Sequence, residues 1–227
     1  MPTLIAEPLV EELLGFDGKA EIVNGGIQKL MPAGDEPSNA AGEIFFALRQ
    51  WIRENGQGRA VGDNAGFLCD LPHRKSFSPD AAFYTGPTGG MKFFPEPPVF
   101  AVEVRSENDY GRRAEIAITQ KIADYFAAGT LVVWDVDLQN EEVVAKYTPQ
   151  NPLEPQIFRG GEIADAGDAV AGWSMPVDAL FAPTSARYLK TKRKTPPEVS
   201  GGVFCFIQKS VFAISSRKGT ESRSTSK

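Results

Sequence analysis

Glu103 stands in "PPVFAVEVRSEND" (97–109), a run whose other residues up to Val104 suit a buried strand. A carboxylate in such a place needs compensation for its charge. Asp80 occupies a comparable place in "SPDAAFYT". Side chains alternate along a strand. Glu103 therefore shares a face with Val99, Ala101 and Arg105, and Asp80 with Ala82 and Tyr84. In both cases an alanine two residues away leaves space beside the acid. If the two strands pair, both carboxylates point into one small cavity. They would repel there unless a cation joined them. Magnesium binds through one or two carboxylates plus waters and substrate phosphates. Asp80 and Glu103 are thus candidate metal ligands.

Lys121 is the third unexpected residue. With about 100° between successive helical residues, it falls inside the apolar arc of Ile118, Ile122, Tyr125 and Phe126. It either snorkels to water or reaches the carboxylates. Beside a metal, its ammonium could neutralise charge developing on a phosphate. The same three residues would equally serve a structural ion-pair network with no chemistry. Spacing leaves both readings open.

The elements that must position these residues are legible in outline. Residues 7–15 read as a short helix. "KAEIVNGGIQKLMP" reads as a hairpin turning on Asn24-Gly25. A helix is predicted over 38–55, with Ile44, Leu48, Trp51 and Ile52 on one face and glycines 56 and 58 after it. "RAVGDNAGFLCDL" supplies one or two strands, and "SPDAAFYT" and "PPVFAVEVRS" one each. A helix over 111–128 stops at Gly129 and makes a right-handed crossover to "TLVVWDVD". "EEVVAKYT" returns as a hairpin partner, and 149–182 reads as irregular. The predicted class is α+β (α/β-like), a mixed sheet flanked by helices.

Composition narrows the function. The chain has 227 residues, 42% of them hydrophobic, which is ordinary for a globular domain. No apolar run approaches the roughly 20 residues of a membrane helix, and the opening residues lack the basic start of a leader. Cys69 and Cys205 fit no metal or redox spacing and read as reduced thiols of a cytoplasmic protein. The only histidine, His73, lies in the loop "DLPHRKS". That excludes a histidine-rich metal site, disfavours a Ser-His-Asp triad, and suggests a surface residue. Charge is uneven. Residues 1–186 carry 14 basic and 27 acidic side chains, a net of −13, whereas 187–227 carry 10 and 2, a net of +8. An acidic body argues against broad affinity for phosphate backbones but allows a local basic groove. Residues 189–227, with the linker "KTKRKTPPEVSGG", are expected to be a basic disordered extension of a domain over 1–188.

The segments "SPD", "FAVEVRSEND" and "QKIADYFAAGTLVVWDVD", in this order, resemble the Uma-type endonuclease family. That family is a domain of unknown function within the PD-(D/E)XK, restriction-endonuclease-like superfamily. The resemblance spans about residues 7–182. It includes the "AEIVNGG" hairpin, Pro79-Asp80, Glu103-Val104 with Ser106, the step from Lys121 to Tyr125, Gly129, Trp134 and the closing "GWSMPVDALF". It implies a mixed sheet with a metal-dependent phosphodiesterase site, with Asp80 and Glu103 holding Mg2+ or Mn2+. The superfamily lysine usually follows the second acid by two residues. Arg105 stands there and cannot deprotonate, so the resemblance assigns the role to Lys121 and an auxiliary acid to Glu21. One departure is the histidine that many members carry after the second strand, which "GDEPSNAAG" lacks. The expected partner is nucleic acid, namely DNA; the sequence does not give the oligomeric state, and a homodimer is one option it leaves open. The alternative is a catalytically inactive nuclease-fold module that binds nucleic acid or protein.

Overall fold

The computed structural model describes residues 7–181. The expectations for the basic extension and for Cys205 lie outside these residues. The chain starts with α1 (Glu7–Leu14) and the hairpin β1 (Ala20–Val23) and β2 (Gly26–Lys29). Asn24 and Gly25 take left-handed φ values of 52° and 75°, the paired conformation of a two-residue hairpin turn. Helix α2 (Asp35–Asn55) follows, then β3 (Arg59–Val61), β4 (Phe67–Leu68), β5 (Ser76–Phe77), β6 (Ala81–Tyr84) and β7 (Phe100–Val104). Helix α3 (Arg112–Ala127) leads to β8 (Val132–Val136) and β9 (Val144–Thr148). The last strands are β10 (Asn151–Phe158), β11 (Ile163–Asp165) and β12 (Ser174–Pro176).

Six strands form the central sheet in the order β10-β9-β8-β7-β6-β3. Only β7 and β8 run parallel, and α3 joins them as predicted. The alternation of β7 divides the core. Phe100, Val102 and Val104 pack on the side of α2 with Ile44 and Leu48, Trp134 and Trp173. Ala101 packs on the opposite side with Tyr125 and Ile122 of α3. Glu103 therefore faces α3. Among the described residues, no helix is long and apolar enough to cross a membrane.

Two sequence expectations are corrected. Helix α2 begins at Asp35 rather than 38, because Pro37 falls in the first turn, where no intrahelical N–H bond is needed. Within the described residues 149–181 the chain is not irregular. Pro152 and Pro155 lie in β10, an edge strand whose register shifts between Asn151 and Gln156. An edge tolerates prolines and bulges that a central strand rejects. Beyond it, β11 and β12 pair, and two 3-10 turns, Gly167–Val170 and Val177–Leu180, help close the α2 face of the sheet.

Gly58, between α2 and β3, combines φ +75° with a position where a Cβ would overlap the Phe83 ring. Phe83 is buried against Trp51. Gly58→Ala should cost about 2 kcal/mol from strain and overpacking. A calorimetric scan should show Tm lower by roughly 4–8 °C.

Candidate active site

Strands β6 and β7 bring the two acids near each other. Ala81 pairs with Val102 and Ala82 with Ala101. Asp80 lies just before β6, and its N–H donates to Val102 O at 3.0 Å, one residue out of the register of the paired strands. Its Oδ2 accepts the Val104 N–H at 2.7 Å, and its Oδ1 accepts Lys19 Nζ at 2.5 Å. Lys19 also reaches Asp63 Oδ1 at 2.6 Å.

Helix α3 supplies the groups over Glu103. Lys121 and Tyr125, one turn apart, both reach Glu103 Oε1, at 2.8 Å and 2.6 Å. The Tyr125 ring is fixed by stacking on Phe77, with centroids 4.1 Å apart. Lys121 Nζ also lies 2.9 Å from Glu21 Oε1, so it bridges Glu21 and Glu103. Its side chain is 18% exposed and does not simply snorkel.

Glu21 is the inner end of a buried clamp. Its Oε1 accepts the Ser78 N–H at 2.9 Å, and its Oε2 accepts Arg74 Nη1 at 2.5 Å. Arg74 Nε donates to Asp124 Oδ2 at 2.8 Å. Asp124 Oδ1 accepts Gln120 Nε2 and lies 2.8 Å from His73 Nε2. The His73 side chain is 44% exposed, as a surface residue should be, with one edge on this clamp.

The electrostatics differ sharply among these groups. Burial pushes the Glu103 carboxyl up to about 7; Asp80 and Glu21 add to the rise, against Lys121 and Lys19. Burial opposes ionisation of Glu21 too, but Lys121 and Arg74 outweigh it and hold that acid below its ordinary range. Lys121 and Lys19 are raised despite burial, Lys121 by Glu103 and Glu21, and Lys19 by Asp80 and Glu103. Glu103 is therefore the acid least compensated by its surroundings.

All four acids and bases expected from sequence, Asp80, Glu103, Lys121 and Glu21, meet in this one cluster. Arg105 does not join it. Its guanidinium forks onto Asp135 at 2.9 and 2.7 Å and onto Glu115. Sequence reasoning passes over Lys19, Arg74 and Asp124. Lys19 carries a signal, because it lies two residues before Glu21. Arg74 carries none, since it comes from a loop. Cys69 is buried, with its thiol pushed up to about 12 mainly by burial, and takes no part.

The donor set also bears on a metal. Among the described residues, no group of three or more His, Cys, Asp or Glu forms a metal-binding cluster. Glu21 carries a cation on each oxygen, whereas Asp80 carries one on Oδ1 and Glu103 one on Oε1. Two carboxylates fit magnesium, which keeps most of its waters. They do not make a closed protein cage. An under-compensated Glu103 beside a second acid is the electrostatic setting a divalent ion would relieve.

The six-stranded mixed sheet between α2 and α3 is a restriction-endonuclease-like fold. The chain belongs to the Uma2 family, described as "Putative restriction endonuclease", which matches over residues 9–178. A crystal structure of a "putative nuclease belonging to DUF820" from Anabaena variabilis ATCC 29413 superposes with a TM-score of 0.60 at 17% identity. The match covers 76% of this chain and 97% of that one. No curated protein matches.

Proposed function

We propose that the protein is a metal-dependent endonuclease that hydrolyses phosphodiester bonds in DNA. The meeting of Asp80, bound by the Val104 N–H of β7, with Glu103 of the same strand and the Lys121 ammonium carries this reading. Asp80 and Glu103 would hold Mg2+ or Mn2+. A bound divalent ion supplies Lewis-acid polarisation of the phosphoryl group and acidifies a water. Tyr125 fixes the Glu103 carboxylate through Oε1. Lys121, held between Glu21 and Glu103, places a positive charge where the phosphorus gains negative charge in the transition state. Water oxygen bonds to phosphorus and the ester P–O bond breaks. The leaving oxygen takes a proton, so a phosphomonoester and an alcohol result.

One observation favours the second reading, an inactive nuclease-fold binding module. The three inner ions, Glu21, Lys121 and Glu103, already neutralise one another in part. Such a network can be purely structural. A plasmid assay with Mg2+ or Mn2+, against a chelator control, separates the two. The wild type should nick supercoiled DNA only with metal. Lys121→Met should lower cleavage about a hundredfold while still binding Mn2+ in a calorimetric titration. A wild type that neither binds Mn2+ nor nicks DNA leaves the binding module.

A further inference from the structure

Lys19 belongs to no part of the mechanism above, yet it holds one of the two proposed metal ligands. Its Nζ is 2.5 Å from Asp80 Oδ1. The other Asp80 oxygen is taken by the Val104 N–H. No oxygen of Asp80 is thus free of a donor. A divalent ion shared by Asp80 and Glu103 must compete with an ammonium already seated there.

The structure also shows where that ammonium can stay. Asp63 Oδ1 is 2.6 Å from the same Nζ. The Asp63 side chain is 47% exposed, against 16% for Asp80, so the two seats lie at different depths. Lys19 reaches both from its place just before β1, on the hairpin that also carries Glu21.

We propose that Lys19 is a resident counter-cation of the metal site: it neutralises Asp80 until a divalent ion takes its place, and Asp63 then retains it. This rests on the metal-nuclease reading and adds a residue to it. Both states keep Asp80 paired with a positive charge, which avoids leaving a part-buried carboxylate bare. The exchange moves no proton and breaks no covalent bond. The ammonium is left at the more exposed of its two seats.

Calorimetric titration of the full chain with MnCl2 tests this. Lys19→Gln should bind Mn2+ about tenfold more tightly than wild type, because the competitor is gone. Asp63→Asn, at the more exposed seat, should bind it several-fold more weakly, because the displaced lysine has lost its alternative partner. Lys75→Gln removes the same charge from a separate pair with Asp70 and gauges long-range charge alone. It should change affinity less than about twofold. Wild-type affinity in Lys19→Gln, or equal tightening in Lys75→Gln, overturns the role of Lys19 and leaves the metal site standing. Absence of Mn2+ binding in the wild type and in Lys19→Gln alike overturns the metal reading, and this proposal with it.

Discussion

Glu103→Gln should abolish metal-dependent nicking, lowering it about a hundredfold or more, while the folded protein becomes more stable in chelator at alkaline pH. The glutamine keeps the shape and can still accept from Tyr125 and Lys121 through its amide oxygen. It cannot offer a charged ligand. The stability effect follows from the raised Glu103 carboxyl, about 7 against an ordinary 4.5. Between these two values the native state binds more protons than the unfolded chain, so wild-type stability falls as pH rises through that window. The variant lacks this slope. Its gain over wild type should be roughly 1–3 kcal/mol above pH about 7 and should vanish below about 4.5. Chemical denaturation at several pH values, with chelator present, measures it. A variant strongly destabilised in chelator, beside a wild type that binds no metal, would make Glu103 a structural ion partner instead.

Arg74→Met should give the largest loss of stability. The guanidinium is buried between Glu21 and Asp124 and lies 5.0 Å over the Phe77 ring. Methionine fills much of the volume and leaves both carboxylates short of a cation. Breaking a buried ionic network by removing one member costs about 3–5 kcal/mol, or roughly 6–20 °C in Tm for a chain of this size. Burial opposes the ionised forms of Glu21 and Asp124, but their cationic partners hold both acids below their ordinary values. Their contribution is therefore present above the unfolded carboxylate range and lost as pH falls through the lowered values. The variant should differ most from wild type near neutral pH and converge with it in acid. Denaturant melts at neutral and acidic pH check both points; an unchanged Tm would show that Lys121 and His73 already suffice for the two acids.

The approach of Asp80 to Glu103 is legible because it needs only local pattern. Both acids sit beside alanine on a strand face, and pairing of consecutive strands brings such faces together. Lys121 is legible because it interrupts an apolar helical arc. The parallel β7–β8 pair follows from a helix of crossover length between two apolar runs. The inner clamp is different. Arg74 and Ser78 flank β5, and they meet β1 only because the hairpin docks on residues 73–76. Val23 bridges to Arg74, the Lys75 N–H donates to Ile22 O, and the Ile22 N–H to Ser76 Oγ. No periodicity encodes such docking. Strand β10 is hidden for the opposite reason. Its prolines are strong breaker signals, and only its place at the sheet edge makes them harmless.

The β1–β2 hairpin forms its own two-stranded sheet. Lys19 beside it and its Glu21 meet partners from the loops around β4, β5 and β6 and from α3, up to Lys121 far along the chain. During synthesis the hairpin emerges early and the helix that completes the cluster emerges late. Until α3 has been made and has settled on the sheet, Glu21 and Glu103 lack their shared lysine. No nascent chain that stops short of Lys121 contains the full set, so whatever the cluster does begins only after α3 has been translated.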